Sequence, residues 1–392
     1  LKRVGIIGGC GHVGLPLGLA FAQRGFLVTL VDLNPLAVKC INSGKPPFNE
    51  DGAEQLLNKF SGKGISATVD AKVVADQDVV VFVTGTPVDE HHNPRIQDVV
   101  KVIDQYSPML NENQLIVMRS TVFPGVVEYV DSYLKEKVGP NVKVAFCPER
   151  IVQGKGVEEI FELPQIVSAT SDVALVEAKE LFSTLTETVI TLSPKEAEVA
   201  KLITNSWRYL EFSIANQFYM MLEGQGLDFY KIFDALKYDY PRAKHYASPG
   251  LTAGPCLFKD TMQLSAFHQN QFFLGQAAML VNEGLPNFLV NQLEAQLNGL
   301  KRKRVALLGM TFKPNNDDTR ESLSFKVKKL LDFKQAIVLE SDPYLPLTTS
   351  LSEALELADG VVLGVPHKEY LDLRISKPFV DCWGVWRKRG IQ

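Results

Sequence analysis

Hydrophobic and polar positions change rhythm twice along this chain. Residues 4–7, 28–31, 79–83, 115–118 and 142–146 are short β-branched or aliphatic runs, separated by helical or polar stretches. Strands alternating with helices predict βαβ units and a parallel sheet. At Ser193 the pattern becomes helical. Ser193-Pro194-Lys195-Glu196 reads as a capping box with proline at the first helical position. Helical periodicity then runs to about Asn291 with few strand signals. Ala197, Ala200, Leu202 and Ile203 predict one buried face, which Phe212, Ile214, Phe218 and Met221 continue. The second change follows Lys301-Arg302-Lys303-Arg304, a basic stretch that reads as a solvated linker rather than a nucleic-acid site. Beyond it, residues 305–308, Gly309, a loop and a helix at 324–331 begin another α/β region. Its run at 337–339 leads to Asp342 as 28–31 leads to Asp32, a degenerate echo of the start.

Composition narrows the class. A hydrophobic share of 46% over 392 residues supports sizeable cores and argues against disorder. The net charge of −4 provides no global field for nucleic acid, though a local basic pocket for a diphosphate is compatible with it. No apolar stretch approaches the ~18–20 residues of a membrane span. The chain starts at Leu1 without an initiator methionine, which suggests that a few residues are missing from its start, and it runs directly into a strand, so no secretory signal is expected. Its five cysteines, Cys10, Cys40, Cys147, Cys256 and Cys382, are odd in number and irregular in spacing. That predicts reduced thiols in a cytoplasm, with no disulfide framework and no metal site.

The first chemistry-bearing motif is Gly9-Cys10-Gly11-His12-Val13-Gly14, placed after a strand and opening a helix. Such glycines permit a tight turn, close approach of a pyrophosphate and close helix–strand packing, with the helix N-terminus facing the phosphates. Asp32 ends the second strand where a carboxylate takes ribose hydroxyls, and it would repel a 2′-phosphate, favouring NAD over NADP. Cys10 and His12 read as fillers of the turn, and Thr86, just beyond a strand, as a cofactor contact. The expected architecture is α/β: two Rossmann-like domains with parallel sheets, joined by a long central helix and a helical middle domain. The boundaries expected are 1–192, 193–298 and 299–392.

Four further segments carry candidate groups. Gly254-Pro255-Cys256-Leu257-Phe258-Lys259-Asp260 sets a thiol after two helix breakers, with an acid on the same helical face. A helix N-terminus and Lys259 would both favour a thiolate. Taken alone, the segment fits a structural cysteine equally well. Lys201 and Asn205 share a helical face and could hold an oxyanion, or form a solvated pair. Cys147-Pro148-Glu149-Arg150 offers Glu149 as a general base, and Arg119-Ser120-Thr121 offers a hydroxyl to position water.

Together, and in this order, these segments resemble the UDP-glucose/GDP-mannose dehydrogenase superfamily over essentially the whole chain. The carriers are Gly9, Gly11 and Gly14; Ser120-Thr121-Val122; Pro148-Glu149; Lys201 to Asn205; Cys256 to Asp260; and the run from Phe312-Lys313-Pro314-Asn315 to Asp317-Asp318-Thr319-Arg320. The resemblance implies a four-electron oxidation of a sugar C6 alcohol with two NAD⁺, through a Cys256 thiohemiacetal and thioester. It implies Lys201 and Asn205 as oxyanion groups, and Asp260, Glu149 and Thr121 for protons and water. The cofactor side would comprise Gly9, Gly11, His12, Val13, Gly14, Asp32, Thr86, Thr121 and Arg320. The substrate side would comprise Glu149, Arg150, Lys201, Asn205, Arg208, Arg242, Phe312 and Lys313. Arg242 resembles a family arginine that reaches a neighbouring subunit's sugar, which implies a homodimer through the helical middle.

Departures bear on the substrate. The family's UDP-glucose branch carries a glycine-rich FGGxC stretch where Thr252-Ala253-Gly254-Pro255-Cys256 stands here, and a second glutamate where Gln153 stands. Segments such as Asn205-Ser206-Trp207-Arg208 are more similar to the UDP-N-acetylhexosamine branch, including UDP-N-acetylmannosamine dehydrogenases. Arg208 fits an N-acetyl contact or a surface role equally. Trp383 of Asp381-Cys382-Trp383-Gly384 replaces an arginine that much of the family directs to substrate. A UDP-glucose 6-dehydrogenase, a dehydrogenase of an unusual nucleotide sugar, a one-step hydroxyacid dehydrogenase and an inactive NAD-binding sensor are the alternatives.

Overall fold

The computed structural model describes residues 2–85, 89, 95–251 and 254–386. It divides into two compact units, Leu1–Thr204 and Asn205–Gln392.

The first unit is built on eight strands: β1 (Arg3–Ile7), β2 (Leu27–Val31), β3 (Ile65–Thr68), β4 (Val79–Phe82), β5 (Leu115–Met118), β6 (Lys143–Phe146), β7 (Gln165–Ala169) and β8 (Val189–Thr191). Their order across the sheet is β3-β2-β1-β4-β5-β6-β7-β8. All neighbours run parallel except β6 and β7. Strands β4 and β5 are buried throughout because helices cover both faces of the sheet. The two-residue period of a strand divides the short hydrophobic runs between two cores. Ile6, Val81 and Val117 join one, while Ile7, Val80, Phe82 and Ile116 join the other. The strand order reverses between β1 and β4, and a crevice at the carboxyl ends there is where such sheets bind nucleotides.

The helix Pro194–Gly224 begins in this unit and continues into the second. One half of the expected capping box is present: Glu196 accepts both the backbone N–H of Ser193, at 2.9 Å, and its hydroxyl, at 2.6 Å. The expected buried face is only half right. Ala197 and Leu202 are buried, but Ile203, Ile214, Phe218 and Met221 are each about half exposed, and Trp207 is 64% exposed. The helix has two stripes. The buried one carries polar and aromatic groups instead, including Lys201, Asn205, Tyr209, Asn216 and Tyr219. Hydrophobic spacing alone cannot say which stripe the fold covers.

The second unit adds helices Phe229–Lys237, Leu257–Phe267 and Phe273–Leu297. It also holds four parallel strands: β9 (Arg304–Leu308), β10 (Ile337–Ser341), β11 (Gly360–Leu363) and β12 (Phe379–Val380), ordered β10-β9-β11-β12. The echo seen in the sequence extends to individual bonds. Gly8 N–H donates to Val31 O at 2.8 Å, and Gly309 N–H to Ser341 O at 2.8 Å. Cys10 N–H donates to an Asp32 carboxylate oxygen at 3.0 Å, and Met310 N–H to Asp342 at 2.7 Å. In the basic stretch, Lys301, Arg302 and Arg304 are exposed.

Candidate active site

The dinucleotide loop begins one residue earlier than the motif suggests. Gly8, with φ +76°, makes the turn out of β1, while Gly9 and Gly14 serve close packing. A Cβ on Gly14 would lie 2.5 Å from Gly9 Cα. At Gly11 a Cβ would meet only Gly8 O, at 3.6 Å, which leaves the backbone open to a diphosphate. Val13 stands at the N-terminus of the helix Gly14–Gln23. Asp32 accepts the N–H of Cys10 on one carboxylate oxygen and that of Asn34 on the other, both at 3.0 Å. An open glycine cradle beside a fixed carboxylate fits the phosphates and ribose of NAD. His12 packs on Phe48 at 3.9 Å between ring centroids, and its Nδ1 lies 3.0 Å from the Gln153 amide. The residue that stands for the family's second glutamate is thus tied to the cofactor loop. Thr86 lies outside the described residues.

After β5 comes a group the motifs did not single out. Arg119 is buried, and its Nε donates to Glu149 Oε2 at 2.7 Å. Its two terminal nitrogens donate to Cys147 O at 3.0 Å and to Gln165 Oε1 at 3.1 Å, and its guanidinium lies 5.0 Å from the Phe182 ring. Glu149 Oε1 accepts the backbone N–H groups of Arg150 and Ile151, at 2.7 and 2.9 Å. Both carboxylate oxygens are therefore engaged, which suits Glu149 to orienting its loop more than to carrying a proton. Arg150 donates to Pro164 O, and burial pulls its own proton affinity down. The loop of Thr121 is fastened at its far end by Glu198, which accepts Gly125 N–H at 2.6 Å and Val127 N–H at 2.9 Å. Burial raises the Glu198 carboxyl to about 7 despite these bonds.

In the second unit, Cys256 is the N-cap of the helix Leu257–Phe267, and its carbonyl accepts Asp260 N–H at 2.9 Å. The thiol is exposed, at the end of a helix whose dipole favours a thiolate. Burial pushes Cys10 and Cys147 to about 12 and Cys382 well above its ordinary range, which silences all three. Asp260 is fully buried and accepts from Asn205 Nδ2 at 2.5 Å. Lys259 sits 3.4 Å from Asp260 Oδ1. Arg320 is one cation coupled to Cys256. Hydrogen bonds with Asp318 raise its proton affinity first, and the Coulomb attraction of Asp318 and Cys256 adds to them. Gly254, at φ +103°, donates to Glu321 O at 3.3 Å, and a Cβ there would come within 2.7 Å of the Phe312 ring. Phe312 and Arg320 thus flank the nucleophile's own loop. On the long helix, Lys201 lies one turn before Asn205, and both are buried.

Patterns of three domains cover most of this chain: the NAD binding domain of the UDP-glucose/GDP-mannose dehydrogenase family at residues 2–186, its central domain at 195–283 and its UDP binding domain at 306–388. The chain belongs to the UDP-glucose/GDP-mannose dehydrogenase family. It is 26% identical over 402 residues to a UDP-N-acetyl-D-mannosamine dehydrogenase of Campylobacter jejuni, covering 95% of this chain and 98% of that one. Among solved structures, a UDP-glucose dehydrogenase from Pyrobaculum islandicum matches with a TM-score of 0.90 at 28% identity, over 98% of this chain and 95% of that one. A UDP-D-ManNAc dehydrogenase from Pyrococcus horikoshii matches with a TM-score of 0.89 at 25% identity, over 96% and 93%.

Two arginines expected on the substrate side of this dehydrogenase lie at the surface of the chain. Arg208 and Arg242 are exposed, and Arg242 lies 4.9 Å from the Tyr240 ring centroid. Trp383, where much of the family has arginine, does a packing job. Its Nε1–H donates to Gly364 O at 3.1 Å, and its ring leaves no space for a Cβ on Gly250, which would approach within 2.3 Å. Asp381 accepts the N–H groups of Trp383, Gly384 and Trp386 at 2.9, 3.0 and 2.9 Å, closing the turn that holds the indole. Among the described residues no helix is long and apolar enough to cross a membrane.

Proposed function

We propose that this NAD-dependent nucleotide-sugar dehydrogenase oxidises the C6 alcohol of a UDP-N-acetylhexosamine to the carboxylate, with Cys256 as covalent nucleophile. The observation that carries the reading is Cys256 itself, exposed at a helix N-terminus and electrostatically coupled to Arg320, while the helix it opens carries the buried Asp260, bonded to Asn205 of the long helix. Bound NAD⁺ supplies the hydride acceptor for both oxidations. The Cys256 thiolate adds to the aldehyde carbon left by the first, forming a C–S bond and an oxyanion. Lys201 and Asn205 supply donors for that oxyanion. Once the second oxidation has made the thioester, water attacks the same carbon, the C–S bond breaks and the thiolate returns. Asp260 takes a proton from that water, Thr121 positions it, and Glu149 acts by holding its loop on Arg119. Lys313 meets the diphosphate.

The N-acetyl assignment rests on the matched UDP-N-acetyl-D-mannosamine dehydrogenase and on Gln153 in place of a second glutamate. UDP-glucose is the second reading, favoured by the Pyrobaculum structure. A panel of UDP-N-acetylmannosamine, UDP-N-acetylglucosamine and UDP-glucose, read by product mass and NADH per substrate, separates them. Two NADH and an acid from an N-acetylhexosamine support the proposal, whereas turnover of UDP-glucose alone overturns the substrate and one NADH overturns the mechanism. The exposed stripe of Ile203, Trp207, Ile214, Phe218 and Met221 supports a homodimer through the central region. None of the five cysteines is in a disulfide, which supports a cytoplasmic setting.

A further inference from the structure

The loop that carries Phe312 and Lys313 is held from beneath by a buried histidine that no motif identifies. His367 is fully buried. Its Nδ1 accepts the backbone N–H of Asn315 at 2.9 Å, so that nitrogen carries no proton and Nε2 must carry one. Nε2 lies 3.1 Å from Asp342 Oδ2 and 3.3 Å from Thr311 Oγ1. Burial pushes the Asp342 carboxyl up, but hydrogen bonds from His367 and from Met310 N–H outweigh it and leave it below its ordinary range. It is therefore the anionic acceptor for Nε2–H. The Thr311 hydroxyl donates to Lys313 O at 3.0 Å, so every proton in the cluster has a place. Asn315 Oδ1 closes the other side by accepting Lys368 N–H at 2.9 Å.

We propose that His367 is a positioning residue for UDP, fixing through Asn315 and Thr311 the backbone on either side of Lys313. This rests on the reading that Lys313 meets the diphosphate. Two substitutions separate the two faces of the ring. In His367→Asn the side-chain oxygen can occupy the Nδ1 position and still accept from Asn315. In His367→Gln the amide can reach Asp342, but the part-buried Asn315 N–H loses its acceptor. Without that bond the backbone beside Lys313 must be ordered on binding UDP, and an ordering cost the size of one hydrogen bond corresponds to about a tenfold loss of affinity.

The test is calorimetric titration of full-length enzyme with UDP, and separately with NAD⁺. Expected is UDP affinity about tenfold weaker in His367→Gln, about threefold or less in His367→Asn, and unchanged NAD⁺ affinity in both. Equal UDP affinity in parent and His367→Gln overturns the proposal, as does a parallel loss of NAD⁺ affinity. Should either histidine variant fail to fold, Thr311→Val, close in shape, carries the test. Weaker UDP binding with NAD⁺ binding intact supports the proposal, and unchanged UDP binding overturns it. A parent enzyme that binds no UDP would instead overturn the functional reading on which the proposal stands.

Discussion

Asn205 Nδ2 donates to Asp260 Oδ2 across 2.5 Å, joining the long helix to the helix that Cys256 opens. Both residues are buried, so the bond holds an acid at the nucleophile's helix with little competition from water. The same bond occupies one of the amide's two N–H groups and leaves the other to meet an oxyanion. Asp260→Asn should therefore keep the helices in place but remove the base. The expected result is a kcat lower by about 10²-fold, within the range of general-base loss, with KM little changed. Steady-state kinetics on the accepted nucleotide sugar measure this, and an unaltered kcat would remove Asp260 from proton transfer.

Cys256→Ser should bind NAD⁺ as the parent does, because the dinucleotide loop lies in the other unit. It should lose acid formation by about 10³-fold or more, the scale on which deleting a covalent nucleophile acts. Product mass after long incubation is the check, and normal uronate formation would refute the covalent route.

Glu198 makes stability depend on pH near neutrality. Its folded value of about 7 lies above its ordinary 4.5, so the folded chain keeps a proton that the unfolded chain releases. This contribution is whole below about 4.5 and is lost as pH rises toward 7. Glu198→Gln cannot ionise, so going from pH 5 to pH 8 its melting temperature should rise relative to the parent's. Parallel melting curves across that range would show that the carboxyl does not titrate there.

Arg119→Met should cost about 3–5 kcal/mol, because it leaves Glu149 buried without its counter-charge. Adding Glu149→Gln should recover part of this loss. Chemical denaturation of the two single variants and the double variant measures the coupling, and strictly additive losses would mean that the pair is not coupled.

The residues most legible in the sequence were those whose backbone setting is local. The glycine loop, the β2 terminus at Asp32 and the N-cap at Cys256 all follow from nearby residues, and so does the echo at Asp342. Partners distant in sequence were not legible. Nothing adjacent to Arg119 says that Glu149, Cys147 and Gln165 converge on it, and nothing near His367 points to Asn315. Lys259 is close to Cys256 in sequence, whereas nothing near Cys256 says that Arg320, from a distant segment, is coupled to it. Strands β7 and β8 carry too few hydrophobic residues in a row to stand out. The exposed stripe of the long helix was misread because its spacing is that of any buried face.

Asp32 is held by two backbone amides in the chain alone. Its carboxylate therefore occupies one rotamer in the free protein, and binding a ribose need not freeze it. Immobilising a side chain on binding costs conformational entropy, and here folding has already met that cost. Re-routing the turn from Asp32 to Asn34 would return part of that freedom to the carboxylate, weakening the dinucleotide's grip without removing a single contacting group.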